Sequence, residues 1–208
     1  LKEVVSKDEA GTMSERRRVP GETRAVGGHA FITDHDLHRL AAGTHYRAYE
    51  KLGAHPWKQE GVTGVHFAVI APSAERVSVI GGFNEWDPNA TPLARCHDSG
   101  LWCGFVANVG PGALYKYRVN SRCENYSADK ADPFGFAAEV RPQTASKVWD
   151  LSRYRWGDDS WMRNRGHHNA HDAPISIYEV HLGSWMRVPK EDNRWLTYRE
   201  LAERLTDY

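Results

Sequence analysis

Between Gly61 and Val119, apolar side chains recur at every second position in short runs, and turn residues separate the runs. GVHFAVI puts Val65, Phe67 and Val69 on one face, and RVSVI does the same with Val77 and Val79. LWCGFVANV follows, then a turn at Pro111 and Gly112, then LYKYRV with Tyr115, Tyr117 and Val119 in alternation. A period of two is that of a strand with one face buried and the other facing water. Several such strands at close spacing, punctuated by Gly and Pro, predict a small antiparallel β-sandwich. The fold class expected here is mainly β and immunoglobulin-like.

The flanks are read more coarsely. Residues 1–28 are polar and charged, with a basic patch at Arg16, Arg17 and Arg18, and are expected to be a solvated tail. TDHDLHRLAAG then signals a short helix. Thr33 is its N-cap, Asp36 stands three residues on, Leu37, Leu40 and Ala41 share a face, and Gly43 ends it. With this helix and a connector, the sandwich domain is placed at 29–150. A polar linker at 151–173 follows, because GHHNAHDA and its surroundings carry little periodicity.

Composition removes several partners. The chain holds 27 basic and 27 acidic residues, so no net field favours nucleic acid or an anionic membrane. No apolar stretch approaches a membrane span, and no signal-peptide pattern opens the chain, so a cytoplasmic protein is expected. Aromatic residues reach 11%, with eight Trp and nine Tyr. Such rings fill cores, and exposed ones also make platforms for the apolar face of a sugar. Cys96, Cys103 and Cys123 show no metal spacing and are read as reduced and structural.

Near the end stands ISIYEVHL, with Ile175, Ile177, Glu179 and His181 on one strand face and Ser176, Tyr178, Val180 and Leu182 on the other. A strand apolar on both faces belongs inside a parallel sheet. TYRELAERLTDY follows as a helix, with a capping box from Thr197 to Glu200 and a stripe of Tyr198, Leu201, Leu205 and Tyr208. One βα unit cannot bury both faces of its strand, so the chain reads as truncated.

Five segments, in order, carry a resemblance: GTHYRAYEKLGAHP (43–56), GVHFAVIAPSAERVSVIGGFNEWD (64–87), GPGALYKYRV (110–119), KADPFGFAAEVRPQTASKVWD (130–150) and SIYEVHLGSW (176–185). Together they resemble the amino-terminal part of bacterial glycogen branching enzymes, over roughly residues 30–208. The resemblance implies a carbohydrate-binding sandwich followed by a (β/α)8 barrel of the α-amylase type, whose first βα unit would occupy 174–208. It also implies an activity for the parent enzyme: cleavage of an α-1,4-glucan and transfer of the chain to a 6-hydroxyl, forming an α-1,6 branch. That chemistry needs a carboxylate nucleophile and a carboxylic acid/base in the retaining arrangement. The family's catalytic carboxylates lie on later barrel strands, so no catalytic residue is assigned here, and the fragment alone is expected to be inactive.

The resemblance also supplies candidate glucan contacts. In related glucan-binding modules the Trp of the FNEW turn stacks on glucose near the Lys of a YKY-like strand, which maps to Trp86 and Lys116. Asn84 and Tyr126 join them as candidates. One alternative puts Phe83 and Trp86 in the sandwich core and gives Asn84 to the turn; another packs this surface near the barrel. Glu179 and His181 are read as a structural pair in the barrel rather than as an acid and base. His167, His168 and His171 suggest zinc but lie in a linker without a rigid frame or a fourth ligand, so no metal and no cofactor are expected. Asp132, Pro133, Phe134 and Gly135 are read as a turn tying the connector to the sandwich.

The expected partner is α-glucan (glycogen or amylose), with no nucleic acid, no membrane and a monomer as in the family. The alternative function is a stand-alone glycogen-binding module without catalysis. Debranching enzymes and trehalose-releasing hydrolases share the layout, but ADPFGFAAEVRP and YEVHLGSW favour branching.

Overall fold

The computed structural model describes residues 31–96, 98–123, 126–168 and 170–208, and the backbone of 25 and 26. The chain divides into two compact units, Leu1–Tyr154 and Arg155–Tyr208.

The first unit contains two antiparallel sheets. In one, β1 (Ala25–Val26), β6 (Leu101–Ala107), β3 (Val62–Ile70) and β2 (Gly53–Gln59) lie side by side, and β5 (Ala94–Cys96) also pairs with β6. In the other, β4 (Ala74–Gly81) pairs with β7 (Leu114–Ser121), whose far edge carries β8 (Ser127–Lys130) and then β10 (Ser146–Lys147) with β9 (Ala137–Ala138). Val65, Phe67 and Val69 of β3 meet Val77 and Val79 of β4, Val106 of β6, and Tyr115 and Tyr117 of β7 in one buried cluster. The alternation read from the sequence is thus the inner face of the sandwich. Replacing Phe67, fully buried, by Ala should cost about 3–5 kcal/mol.

A second cluster covers the outer face of the first sheet. Ile32, Leu52, Ala68, Leu101 and the two cysteines Cys96 and Cys103 form it, with Leu37 and Leu40 packed against them. Leu37 and Leu40 belong to α1 (Asp34–Ala41), which starts as expected. The Thr33 side chain accepts from Asp36 N, and the Asp36 carboxylate accepts from Thr33 N at 2.9 Å. His45 Nε2 and Lys51 Nζ also stand on Asp36, at 3.0 and 3.2 Å. Burial pushes this carboxyl up, but the hydrogen bonds from Thr33, His45 and Lys51 outweigh it and hold the pKa well below the usual carboxylate range.

Asp132 fixes the connector to the sandwich. Its Oδ2 accepts from Tyr115 Oη at 2.6 Å and Tyr117 Oη at 3.2 Å, and its Oδ1 accepts from Phe134 N at 2.8 Å. Its own N–H donates to Ser146 Oγ on β10. The turn role expected for this tetrapeptide is what its bonds perform. Burial raises the Asp132 pKa, and the hydroxyl of Tyr115 and the Phe134 amide only partly offset it.

Three expectations need correction. Ala25 and Val26, inside the stretch read as tail, extend the sheet opposite Val106 and Phe105. The remainder of 1–28 lies outside the described residues. Cys96 and Cys103, read as reduced, form a disulfide. Pairing of β5 with β6 sets Ala94 against Cys103 and Cys96 against Leu101, which brings the two side chains together on the buried outer face. Cys123 is free and exposed.

The third correction lies in the second unit. Residues 159–168, read as linker, form helix α2 (Asp159–His168), on which Trp161 stacks with His168 at 5.5 Å between ring centroids. Residues 174–181 make no β-ladder among the described residues, and Ile175 and Ile177 are 83% and 82% exposed. A strand needs a neighbour for its N–H and C=O groups, and no other described strand pairs with this one. The short α3 (Leu182–Trp185) and a hairpin of β11 (Arg187–Val188) and β12 (Arg194–Trp195) follow. Helix α4 (Tyr198–Asp207) forms as expected, with the Thr197–Glu200 capping box in place and Leu201 buried.

Candidate functional site

The turn after β4 is built to hold one side chain out. Gly81 lies so close to its neighbours that a Cβ there would meet Leu114 O at 2.3 Å and the Phe83 ring at 2.5 Å. Phe83 turns inward beside Phe67, with ring centroids 6.3 Å apart, as expected for a core residue. Asn84 organises the turn. Its Oδ1 accepts from Gly81 N at 2.9 Å, while its Nδ2 donates to Val79 O at 2.9 Å and Thr91 Oγ1 at 2.8 Å. Both amide hydrogens are therefore spent on the fold.

Beyond Asn84 the backbone enters the left-handed region twice, at Glu85 (φ 56°) and Trp86 (φ 60°). Bulky residues avoid this region, at a cost of about 1–3 kcal/mol each, and such outliers cluster at functional sites. Hydrogen bonds from Trp86 N to Gly81 O and from Asp87 N to Asn84 O hold the pair in place. The result is an indole left 40% exposed at the rim of a groove.

The groove lies on the outer face of the second sheet and has a volume of about 390 Å³. Ile80 and Lys116, directly opposite each other on β4 and β7, contribute to its lining. Asp129 of β8 lines one side, and Glu139, Gln143 and Thr144, from the loop between β9 and β10, line another. Lys116 Nζ donates to Thr144 Oγ1 at 2.8 Å. Asp129 is matched to Arg118, whose Nη2 donates to Oδ2 at 3.1 Å. Glu139 Oε2 accepts from Ala145 N at 2.9 Å. An aromatic face, an ammonium donor and carboxylate and amide groups in a shallow groove suit a neutral, hydroxyl-rich ligand.

The structure thus brings Trp86 and Lys116 together, with Asn84 beneath the turn. Tyr126 does not line this groove. It is 51% exposed on the hairpin beyond β7, with Lys130 Nζ 5.5 Å from its ring centroid. Glu139, Gln143 and Thr144 were missed by sequence reasoning, since AEVRPQTAS carries no period or motif that sets it against β7. Among the described residues no group of three His, Cys, Asp or Glu side chains is placed to hold a metal. His181, paired on sequence grounds with Glu179, has its Nδ1 at 2.8 Å from Ser184 Oγ. No helix among the described residues is long and apolar enough to cross a membrane.

Residues 51–135 match the family Carbohydrate-binding module 48 (Isoamylase N-terminal domain). A 1,4-alpha-glucan branching enzyme from Rubrobacter xylanophilus is 53% identical over 85% of this chain and 24% of its own length. Another, from Synechococcus elongatus, is 45% identical over 95% of this chain and 28% of its own. The chain is a homologue of the 1,4-alpha-glucan branching enzymes. This homologue spans about a quarter of the length of the curated relatives it matches. Among solved structures, a Klebsiella pneumoniae pullulanase complexed with maltotriose overlaps 49% of this chain and 10% of its own, at 24% identity and a TM-score of 0.40.

Proposed function

We propose that the sandwich is the glucan-holding module of a 1,4-alpha-glucan branching enzyme. The whole enzyme would cleave an α-1,4-glucan and transfer the released chain to a 6-hydroxyl, in a retaining mechanism with two carboxylates. One observation carries the module's part: Trp86 is held at positive φ, half out of the surface, beside Lys116 at a groove. A pyranose lying flat on the indole would put its hydroxyl edge within reach of the ammonium. Affinity at one such site is modest. Its value is to keep a long polymer near the catalytic barrel, where tethering raises the effective concentration of chain ends.

Asn84 acts in this proposal as the brace of Trp86 rather than as a sugar contact, and Tyr126 as an outlying ring. The proposal also takes a monomer and a cytoplasmic setting. Two assays on the 208-residue chain test it. In native gels containing glycogen the chain should be retarded, and W86A should migrate as it does without glycogen. With amylose, the iodine colour should stay blue, because no catalytic pair is assigned here; fading through branching would refute the division of labour.

A further inference from the structure

Of the charges lining the groove, two are accounted for. The Lys116 ammonium is held by Thr144, and Asp129 is balanced by Arg118. Glu139 differs. It is half-buried, Oε2 accepts a single hydrogen bond, from Ala145 N, and among the described residues the carboxylate has no ion-pair partner. An ionised carboxylate offers about four lone-pair sites, so most of its accepting capacity is free on a residue that lines the groove. Glu139 also lies beyond residues 51–135, the part that matches the carbohydrate-binding family, so that match assigns it nothing.

We propose that Glu139 is a specificity-determining glucan contact, accepting from the hydroxyls of the glucose unit stacked on Trp86 while Lys116 donates to a neighbouring hydroxyl. This rests on reading the groove as a glucan site. The chemistry is that of a vicinal diol, each hydroxyl of which can donate and accept. A charged acceptor and a charged donor on one groove satisfy such a pair with hydrogen bonds about twice as strong as neutral ones.

Calorimetric titration of maltoheptaose into the 208-residue chain tests this, comparing wild type with E139Q, E139A and W86A and checking each variant's thermal midpoint. In E139Q the amide oxygen keeps the bond from Ala145 N, while the NH2 turns an acceptor into a donor at the groove. Affinity should fall about tenfold with the midpoint unchanged, the loss of a hydrogen bond to a charged group. Wild-type affinity in E139Q, with weakening only in E139A, would mean that Glu139 merely braces the loop and would overturn the inference. If W86A loses binding while E139Q keeps it, the glucan site stands and the Glu139 assignment fails. If W86A binds as wild type does, or wild type binds nothing, the groove reading falls and takes this inference with it.

Discussion

Lys116 on β7 donates to Thr144 Oγ1 at 2.8 Å, so the cation of the groove is held by the same loop that contributes Glu139. The central strand of the sheet and an irregular connector thereby build one surface. T144V should leave the thermal midpoint within about 1 °C, as expected of an exposed substitution. It should weaken glucan binding two- to fivefold, because Lys116 then pays rotamer entropy on each binding event. Calorimetry on the variant checks both arms.

Asn84 supports Trp86 through three hydrogen bonds. N84A removes the acceptor of Gly81 N and the donor to Val79 O, and releases the left-handed turn. A loss of about 1–3 kcal/mol in urea unfolding is expected, together with loss of glycogen retardation. W86A should lose the retardation with little loss of stability, so the two variants separate bracing from contact.

Asp132 accepts from two buried tyrosine hydroxyls. D132A leaves both without an acceptor and should cost about 3 kcal/mol or more. Adding Y117F should recover part of that loss, which a double-mutant cycle in urea would read directly. The pH dependence has a definite sign. The folded pKa is raised, chiefly by burial, so the contribution is full below the unfolded value near 3.8 and declines as pH rises toward the folded one. D132N should flatten that part of the stability–pH curve.

Glu200 behaves in the opposite way. Hydrogen bonds from Arg194 first, then the Thr197 amide and hydroxyl, lower its pKa to about 2. A depressed folded value gives stability that is present above the unfolded pKa, near 4.5, and lost as pH falls toward about 2. Protection of the amides along 198–207, taken relative to the intrinsic exchange rate at each pH, should therefore fall across that window, and E200Q should remove the transition.

Cys96 and Cys103 close a short loop, seven residues apart in sequence. Such a loop is worth about 2 kcal/mol by chain entropy. Reductant should lower the stability by about that amount without unfolding the chain, because both side chains are buried in an apolar cluster.

What was legible in the sequence was periodic or locally bonded. Val65, Phe67, Val77, Val79, Tyr115 and Tyr117 announced the inner faces by alternation, and Thr33–Asp36 and Thr197–Glu200 announced two helix starts by spacing alone. Trp86 and Lys116 were legible through resemblance. Glu139 and Thr144 were not, because they reach the groove through the pairing of two-residue strands, β9 with β10 and β10 with β7, which no local pattern encodes. The disulfide was hidden for the same reason: its two cysteines meet only through the register of β5 on β6. ISIYEVHL shows the limit from the other side. Its apolar pattern announces a buried strand, but a strand exists only where a neighbour pairs with it, and Ile175 and Ile177 stand exposed.

The most direct test is to titrate maltoheptaose into the 15N-labelled chain and follow each signal. The indole N–H of Trp86 and the backbone amides of Lys116 and residues 143–145 should shift together along one binding curve, and in W86A the shifts at 116 and 143–145 should vanish. Shifts confined to another face, or no shifts at ligand concentrations in the millimolar range, would contradict a glucan site at this groove.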